Sequence, residues 1–483
     1  MQRKIYFRAD AGVDIGYGHF IRTLALADML KDDFGCFFVT QTPTLYQKTE
    51  VAKVCSLIEV PASEEKFSLF LEMLQGDEIV VLDNYFYDTD YQRKIRAKGC
   101  KLVCVDDMHD KHYVADVVIN HGITDANLFS VESYSKLCLG FDWALLRREF
   151  LHHKRNHICT DQEVRNVLVC FGGVDINDFT GNVIKVLNRL PEVKSIIAIA
   201  NNSYNRGADL NSTKVCFKYN LQASEIADLF DWADYTFVSA STICLEAVSC
   251  HVPVAAGYYV DNQKEFYEEL SSKNYIYPLG DLFSVCWETE ASNAIKYRTQ
   301  KRIDTIVDIP NNYIQLFDSL FDCPNYTIDG LIFIDYRNLT KDQHLIVWKA
   351  RVHDNVRCWM NNAGLFSFEE HCAFVDSLSN LNNAIYWGVF DGVSFIGAVN
   401  IHKEEGLKRV ERGIFVSPDY LGKSYGNYIE KVSEQLFRRL GISTIKAKVL
   451  KTNVRSLKFH EKNRYIIENM DERYFHLIKK LDE

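Results

Sequence analysis

The stretch that decides the fold of the N-terminal part is Arg8-Ala9-Asp10-Ala11-Gly12-Val13-Asp14-Ile15-Gly16-Tyr17-Gly18-His19. The apolar run Ile5-Tyr6-Phe7 before it predicts a β-strand, and apolar residues recur at helical spacing from Phe20 onward. A turn from strand through glycine loop to helix directs free backbone N–H groups and the positive end of the helix dipole toward a bound anion. The sequence therefore predicts an anion site close to the N-terminus.

The same turn delivers one imidazole, that of His19, to the start of the helix. The positive end of the dipole disfavours imidazolium, so we expect His19 to stay neutral and able to accept a proton. A base beside an anion site predicts chemistry on a phosphorylated or nucleotide-activated substrate.

The bulk composition restricts the class of protein. A chain of 483 residues predicts two or three domains, and 47% hydrophobic with 25% charged residues is typical of soluble globular proteins. The net charge of −10 argues against a nucleic-acid partner, and no apolar run is long enough to span a membrane or act as a signal peptide. The 14 scattered cysteines without a C-x-x-C pair predict a cytoplasmic protein with reduced thiols.

Alternating strand and helix patterns predict an α/β fold with two Rossmann-like lobes, over residues 1–150 and 151–322. Short apolar runs such as Ile79-Val80-Val81-Leu82 and Val167-Leu168-Val169-Cys170 fit parallel strands buried on both faces. Polar residues follow these runs, and ligands in such sheets bind off the carboxyl ends of the strands. The two lobes in series predict a cleft between them.

A polar stretch between the lobes contains His152, His153 and His157. A metal site is one interpretation. The preferred one is a solvated connection, because no carboxylate or thiol spacing completes a ligand set, and no metal is expected.

Residues 326–483 have a different pattern, which predicts a mixed α+β domain. The segments 384–390 and 393–401 around Asp391-Gly392 predict a hairpin with an Asp-Gly turn. A strand at 413–416 precedes a loop that ends at Gly426, and a helix is predicted from about 427 to 440, with helical structure also over 348–360.

The N-terminal part resembles the UDP-sugar hydrolases of pseudaminic acid biosynthesis, which are relatives of two-lobed GT-B glycosyltransferases. Besides the loop quoted above, the resemblance rests on segments 144–150 (ALLRREF) and 171–175 (FGGVD), on Ser241-Thr242 with Glu246, and on Asn262-Gln263. It implies hydrolysis of a UDP-linked diacetamido-trideoxy-altrose to UDP and the free sugar.

The resemblance also implies a role for individual residues. His19 would activate water for attack at the anomeric carbon, Ser241 and Thr242 would hold the diphosphate, and Glu246 would bind the ribose. The remaining implied substrate-binding residues are Asp10, Gly16, Gly18, Arg22, Tyr85, Gly172, Gly173, Asn262 and Gln263. The alternative for each is structural: His19 would cap or pack, the glycines would serve turns, and Glu246 would be a solvated helix residue.

The C-terminal domain resembles GNAT-type N-acetyltransferases. The matching segments are 348–360, 367–371, the hairpin, 416–426 and 453–462. The resemblance implies that acetyl-CoA is the cosubstrate and that the loop before the 427–440 helix cradles its pyrophosphate with backbone N–H groups. The implied coenzyme-binding residues are Val416, Gly422, Lys423, Tyr425, Gly426, Asn453 and Ser456.

His460 stands where the family often has the tyrosine that protonates the leaving thiolate. It would be a catalytic acid if charged, or else a coenzyme contact or a structural histidine. The loop departs from the family pattern, with Leu421 in place of the usual Arg or Gln and Ser424 in place of a central Gly.

The two resemblances point to consecutive steps of one pathway. The first hypothesis is a bifunctional enzyme that acetylates UDP-4-amino-4,6-dideoxy-N-acetyl-β-L-altrosamine and then hydrolyses the diacetylated UDP-sugar. The alternatives are a GT-B glycosyltransferase joined to an amino-sugar acetyltransferase, and a nucleotide-sugar-binding sensor without catalysis. The expected partners are thus UDP-sugars, with neither nucleic acid nor membrane.

Overall fold

The computed structural model describes residues 3–12, 16–151, 164–172, 175, 177–200, 212–219, 221–297, 308–321, 324–381, 383–404 and 408–481. Gly173, the three histidines of the interlobe stretch and the predicted boundary at Asp322-Cys323 lie outside these residues. Three large β-sheets follow one another along the described parts of the chain.

The first segment alternates strands and helices. Its elements are β1 (Lys4–Arg8), α1 (Gly18–Leu30), β2 (Gly35–Gln41), α2 (Leu45–Ala52), β3 (Ser56–Val60), α3 (Glu65–Met73), β4 (Ile79–Leu82), α4 (Thr89–Ala97), β5 (Lys101–Val105), β6 (His112–Tyr113), β7 (Val117–Asn120), β8 (Ser130–Val131), β9 (Lys136–Leu139) and α5 (Arg148–Leu151). The main sheet is parallel in the order β3-β2-β1-β4-β5-β7-β9.

The second segment repeats this architecture. Its elements are β10 (Asn166–Cys170), α6 (Phe179–Leu187), β11 (Ser195–Ala200), β12 (Val215–Tyr219), α7 (Ala223–Trp232), β13 (Tyr235–Ser239), α8 (Thr242–Ser249), β14 (Val254–Tyr258), α9 (Asp261–Ser272), β15 (Tyr277–Asp281), α10 (Trp287–Ala294) and α11 (Ile309–Ser319). Its sheet is parallel in the order β12-β11-β10-β13-β14-β15.

The third segment is a mostly antiparallel domain. Its elements are β16 (Tyr326–Ile328), β17 (Leu331–Asp335), α12 (Lys341–Val352), α13 (Asp354–Arg357), α14 (Phe368–Ser377), β18 (Ala384–Asp391), β19 (Ser394–Lys403), β20 (Arg409–Val416), α15 (Tyr425–Arg439), β21 (Thr444–Leu450), α16 (Val454–Lys462), β22 (Ile466–Met470) and β23 (Tyr474–Lys480). The sheet order is β16-β17-β18-β19-β20-β21-β23-β22.

The predicted fold class, two Rossmann-like lobes followed by an α+β domain, is confirmed. The central strands of both lobes are buried on both faces, as their continuous apolar runs predict. One helical prediction differs in detail, because the segment 348–360 is broken at His353. This residue is extended, and its Nδ1 accepts the N–H of Asn355, which caps a new short helix.

The last helix of the second segment crosses to the first lobe. In α11, Tyr313 donates its hydroxyl to the backbone oxygen of Trp143 at 2.6 Å, and Asp318 pairs with Arg3 at 2.9 Å. The apolar side chains of α11 belong to the same buried cluster as those of α1. The two lobes are therefore joined by packing as well as by the chain connection, and the boundaries 1–150, 151–322 and 326–483 stay predictions.

The third domain contacts the first lobe at the amino ends of its strands. Thr327 of β16 donates its hydroxyl to the backbone oxygen of Lys98 at 2.6 Å. Gly76 and Gly99 have φ of +99° each, and a Cβ on either would lie within 2.7 Å of the Thr327 hydroxyl. Both positions therefore require glycine for the close approach as well as for the backbone conformation.

A buried ion pair strengthens this contact. Arg96 pairs with Asp116, which directly precedes β7, at 2.5 Å and also donates to the backbone oxygen of Asn338 in the third domain. Lys101 adds a second cation to Asp116 at 3.2 Å. Since the parallel strands of the first lobe all run in one direction, this contact lies at the edge opposite to their carboxyl ends.

Candidate active sites

Buried charged residues form ion pairs around Asp10, which lies two residues beyond Arg8, the last residue of β1. Asp10 accepts from Arg8, from Lys66 at 3.1 Å and from the backbone N–H of Gln41 at 2.8 Å. These cations hold the pKa of Asp10 below its usual value against the effect of burial. Its oxygens are thus occupied by the protein, and the geometry supports a role for Asp10 in fixing the loop rather than in touching substrate.

The glycine loop closes on itself before the helix. Gly12 and Gly16 exchange backbone hydrogen bonds of 2.8 and 3.4 Å, and Gly16 has a φ of +80° that favours glycine. Gly18 is the first residue of α1 and is exposed, so the helix start is open to solvent. The loop therefore brings His19 to an accessible helix N-terminus, as its sequence predicts.

His19 is held by a buried carboxylate that follows β4. Its Nδ1 lies 2.7 Å from Oδ1 of Asp83, which in turn accepts two hydrogen bonds from Arg22, at 2.6 and 2.7 Å, and one from Thr23 at 2.8 Å. Despite burial, the pKa of Asp83 is lowered well below its usual range by Arg22 and His19. The carboxylate is ionised and can only accept, so Nδ1 of His19 carries the hydrogen.

This tautomer decides what His19 can do. With the proton on Nδ1, the opposite nitrogen, Nε2, has the free lone pair of a base. The approach of Arg22 Nη2 to Nδ1 at 3.1 Å is then a contact between two donors and not a hydrogen bond. A carboxylate at Nδ1 also stabilises the imidazolium that forms once Nε2 takes a proton.

A second carboxylate links this site to the other lobe. Asp107, which follows β5, accepts from Arg22 at 3.0 Å and from the Tyr85 hydroxyl at 3.1 Å. The Tyr85 ring stands edge-on to His19 with centroids 4.7 Å apart, and its oxygen accepts from Nδ2 of Asn262 at 2.8 Å. The structure thus brings His19, Arg22, Tyr85 and Asn262 together across the cleft, as the predicted site requires.

The nucleotide-binding residues predicted in the second lobe lie at the carboxyl ends of its strands. Gly172 follows β10 with a φ of +101°, and Ser241 directly precedes α8, with its hydroxyl 3.1 Å from that of Ser239. Thr242 is the first residue of α8 and is partly exposed. Gln263 is buried and accepts from the backbone of Tyr259 at 3.2 Å.

Glu246 does not match the predicted alternative of a solvated helix residue, because it is buried. Its two oxygens accept from Nε and Nη2 of Arg147 at 2.8 and 2.9 Å. Burial raises the pKa of Glu246, and the charge of Arg147 opposes this effect. A ribose would therefore have to share this carboxylate with Arg147, a partner that the resemblance alone did not indicate.

The third domain has an opening between two parallel strands. β20 and β21 pair only at Arg409–Glu411, although both strands continue beyond this point. Val416 lies at the end of β20, and the loop from it leads to α15. A Cβ on Gly426 would lie 3.5 Å from Val416 and from Phe459, an ordinary contact distance, so the loop is close to both walls.

The backbone of this loop shows why the family pattern has a glycine where this chain has Ser424. Ser424 has a φ of +65°, and Gly422 has a φ of +80°. A serine in the left-handed region costs about 1–2 kcal/mol relative to glycine, which explains why a glycine suits this position. Lys423 is exposed, and the ring of Tyr425 packs against Tyr420 with centroids 4.8 Å apart.

The predicted residues on α16 have internal partners. Asn453 caps the helix by accepting from the N–H of Ser456 at 3.0 Å, and Nδ1 of His460 donates to the backbone oxygen of Ser456 at 2.7 Å. Burial and the charges of Arg412 and Lys479 lower the pKa of His460 to about 3. A buried neutral ring is a poor proton donor to a thiolate, so the geometry favours the structural alternative, and the acid role stays a prediction that is tested below.

The sequence predicts the loop but not the partners of His19 and Glu246. Asp83 and Asp107 were recognisable only as polar residues after buried strands, and Arg147 only as part of a resembling segment. Which of them meets His19 depends on the strand order, in which β1 lies directly beside β4.

Comparison with known proteins assigns the regions. Residues 348–464 match the acetyltransferase (GNAT) family. The chain is 26% identical over 289 residues to the UDP-2,4-diacetamido-2,4,6-trideoxy-beta-L-altropyranose hydrolase of Campylobacter jejuni, covering 56% of this chain and 97% of that protein. It is 27% identical over 148 residues to acetyltransferase PseH of the same species, covering 30% and 91% respectively. The chain joins a hydrolase-like region to a GNAT acetyltransferase domain.

A relative of similar length aligns across both of these regions. An uncharacterized protein of Methanocaldococcus jannaschii is 22% identical over 488 residues, covering 95% of this chain and 96% of that protein. The prediction of an enzyme with hydrolase and acetyltransferase regions is confirmed. GNAT acetyltransferases use acetyl-CoA, so the predicted cosubstrate is confirmed as well.

The described part of the chain holds neither a cluster of candidate metal ligands nor a membrane-spanning helix. In the described ranges, no three His, Cys, Asp or Glu side chains lie together in a way that could hold a metal ion. None of the helices in the described part of the chain is long and apolar enough to cross a membrane.

Proposed function

We propose that the protein is a bifunctional cytoplasmic enzyme of pseudaminic acid biosynthesis. The acetyltransferase domain would acetylate the 4-amino group of UDP-4-amino-4,6-dideoxy-N-acetyl-β-L-altrosamine, and the two lobes would hydrolyse the diacetylated UDP-sugar. The observation that carries the hydrolase assignment is the His19–Asp83 pair at 2.7 Å, which leaves Nε2 of His19 as a base at an open helix start.

In the proposed hydrolysis, Nε2 of His19 takes a proton from water while the water oxygen attacks the anomeric carbon. The bond between this carbon and the diphosphate oxygen breaks, and UDP leaves with the electron pair. Asp83 keeps the ring in the productive tautomer and stabilises the imidazolium. The N–H groups at the start of α8, with Ser241 and Thr242, would hold the departing diphosphate.

In the proposed acetylation, the neutral sugar amine attacks the thioester carbonyl of acetyl-CoA and a carbon–nitrogen bond forms. The carbon–sulfur bond breaks, the coenzyme leaves as the thiolate with the electron pair, and the proton lost by the amine nitrogen balances it as free coenzyme A thiol. The opening between β20 and β21 and the loop from Val416 to Gly426 support binding of the coenzyme there. Because His460 is buried and neutral, we assign it no proton transfer.

The test uses the full chain with the UDP-amino-sugar and acetyl-CoA, followed by mass spectrometry. Acetylation and then release of UDP and free diacetamido sugar are expected. His19→Asn should accumulate the diacetylated UDP-sugar. Gly426→Val should stop acetylation but still hydrolyse the pre-acetylated substrate, with Gly426→Ala as the matched control, since one methyl fits at an ordinary contact distance.

Other outcomes would identify the alternatives. Transfer of the sugar to an acceptor other than water would support a glycosyltransferase. Binding of the UDP-sugar without turnover at either site would support a sensor. Either result would overturn the proposed pair of reactions.

A further inference from the structure

A second histidine lies at the same edge of the first lobe as His19. His121 directly follows β7, as Asp83 follows β4 and Asp107 lies two residues beyond β5. Its ring faces the second lobe, where the ring of Phe266 in α9 lies 6.1 Å away between centroids. The site described above does not use this residue.

The tautomer of His121 follows from its one hydrogen-bond partner among the described residues. The backbone N–H of Leu145 donates to Nδ1 at 3.3 Å. A backbone amide can only donate, so Nδ1 carries the lone pair and the proton of the neutral ring lies on Nε2. His121 thus has the opposite tautomer to His19, and its free nitrogen is a donor rather than a base.

The ring is also kept neutral and in place. Burial and the charge of Arg22 lower the pKa of His121 to about 4, against the smaller opposing effects of Asp107 and Asp83. Asn120 fixes the turn that carries the ring, because its Oδ1 accepts from the backbone of Gly122 at 2.8 Å and of Ile123 at 3.2 Å. The result is an uncharged N–H donor on a rigid support.

No residue in the described part of the chain accepts a hydrogen bond from Nε2 of His121. His121 is partly exposed and its Nε2 is not fully buried, so a ligand can reach this nitrogen. Three charged residues act electrostatically on His121, namely Arg22, Asp107 and Asp83. The same residues hydrogen bond to one another, to His19 and to Tyr85. An unused donor therefore lies at the edge of the proposed hydrolase site.

We propose that Nε2–H of His121 donates to an oxygen of the sugar in the bound UDP-sugar, which makes His121 a substrate-positioning residue. This inference rests on the proposed function and deepens it. A neutral N–H suits a carbonyl or hydroxyl oxygen, because it adds a hydrogen bond without adding charge next to Asp83 and Asp107. Because this hydrogen bond goes to the sugar and not to the nucleotide, its loss should weaken binding of the UDP-sugar but not binding of UDP.

The experiment measures binding in the His19→Asn background, in which the substrate persists. Adding His121→Phe should weaken binding of the diacetamido UDP-sugar about three- to tenfold, the effect of one neutral hydrogen bond, and leave binding of UDP unchanged. His121→Gln, which can accept from Leu145 and donate with its amide, should restore part of the affinity. Equal losses for UDP and UDP-sugar would overturn the sugar assignment, and no loss for either would overturn the proposal.

A second measurement does not depend on ligand binding. Nitrogen-15 NMR of the histidines should show His121 protonated at Nε2 and without titration between pH 8 and pH 6. A ring protonated at Nδ1 would overturn the proposal. If wild-type protein fails to release UDP from the substrate but both measurements agree with expectation, the proposed hydrolysis fails and the donor assignment stands.

Discussion

His19 and His460 have the same tautomer but are assigned different roles in the proposed reactions. In both, Nδ1 carries the proton and donates at 2.7 Å, to the carboxylate of Asp83 in one case and to the backbone oxygen of Ser456 in the other. The carboxylate can stabilise a positive ring, whereas the carbonyl cannot offset the burial and the nearby cations Arg412 and Lys479. The partner at Nδ1, rather than the presence of a histidine in a motif, separates the proposed base from the proposed structural residue.

The largest effect is expected from removing the first of these rings. His19→Asn should reduce UDP release about 10²- to 10⁴-fold, because the general base is lost. Acetylation by the same variant should be unchanged and is the internal control. Near wild-type hydrolysis would remove the distinction between the two histidines.

Changing the partner instead of the ring tests the distinction directly. Asp83→Asn should lower the hydrolysis rate by at least about 10²-fold, because an amide can donate to Nδ1 and shift the proton to Nε2. It also removes one of the two carboxylates that pair with Arg22 and leaves Asp107, so the cost in the free energy of unfolding stays below the roughly 3–5 kcal/mol of a fully uncompensated buried charge. The rate is therefore normalised to the folded fraction.

The matched control for this variant is Thr23→Ala. It removes one hydrogen bond to Asp83 and keeps the charge, so hydrolysis should fall far less than in Asp83→Asn. Equal effects of the two variants would show that the packing around Asp83 matters and that its charge does not.

Acid should destabilise the acetyltransferase domain through its neutral rings. Burial lowers the pKa of His344 and His371 to about 4 and contributes most to the lowering of His460 to about 3. Below the unfolded pKa of about 6.5 the unfolded chain binds more protons than the folded one, so stability falls as pH decreases from there toward 4. Each histidine contributes a slope of about 1.4 kcal/mol per pH unit in this range.

His460→Phe should reduce the slope of the free energy of unfolding against pH by the contribution of about one bound proton. Thermal melts recorded between pH 7 and pH 5 measure this slope. The comparison uses the slope and not the absolute stability, because the substitution also changes packing. A slope identical to that of wild type would mean that His460 binds a proton in the folded protein over this pH range, as it does in the unfolded chain.

The smallest effect is expected on acetylation itself. His460→Phe should change the acetylation rate at pH 7 by less than about threefold, far below the 10²-fold typical of a lost acid. The pH–rate profile should keep its shape. A large loss together with a change on the alkaline side of the profile would restore the acid role.

The sequence predicts elements better than partners. The runs at 79–82 and 167–170 are recognisable as buried parallel strands, because continuous apolar residues have few other folded arrangements. The pairing of His19 with Asp83 is not recognisable, because it depends on β4 lying beside β1 across a gap of about 70 residues. Burial of His460 likewise depends on the tertiary position of Arg412 and Tyr465.

A resemblance can match a position without fixing the role of the residue there. By the resemblance, His460 stands where the family often has a tyrosine, and in the structure its ring packs against Tyr465 with centroids 5.0 Å apart inside the domain. Ser424 illustrates the converse, because a departure from the family glycine is accommodated by a strained backbone and leaves the helix start in place. Local strain of about 1–2 kcal/mol is small enough for the rest of the domain to offset.

The attachment of the third domain to the amino ends of β4 and β5 has a kinetic consequence. Gly76, shortly before β4, meets this domain and Asp83, directly after β4, meets His19, so the four-residue strand between them spans roughly 13 Å at about 3.3 Å per residue. In the proposed sequence of reactions, the acetylated UDP-sugar would leave one site into bulk water and return to the other by diffusion. A lag before UDP release should therefore accompany the reaction, and a mixture of His19→Asn and Gly426→Val proteins should reach the same steady rate as wild type.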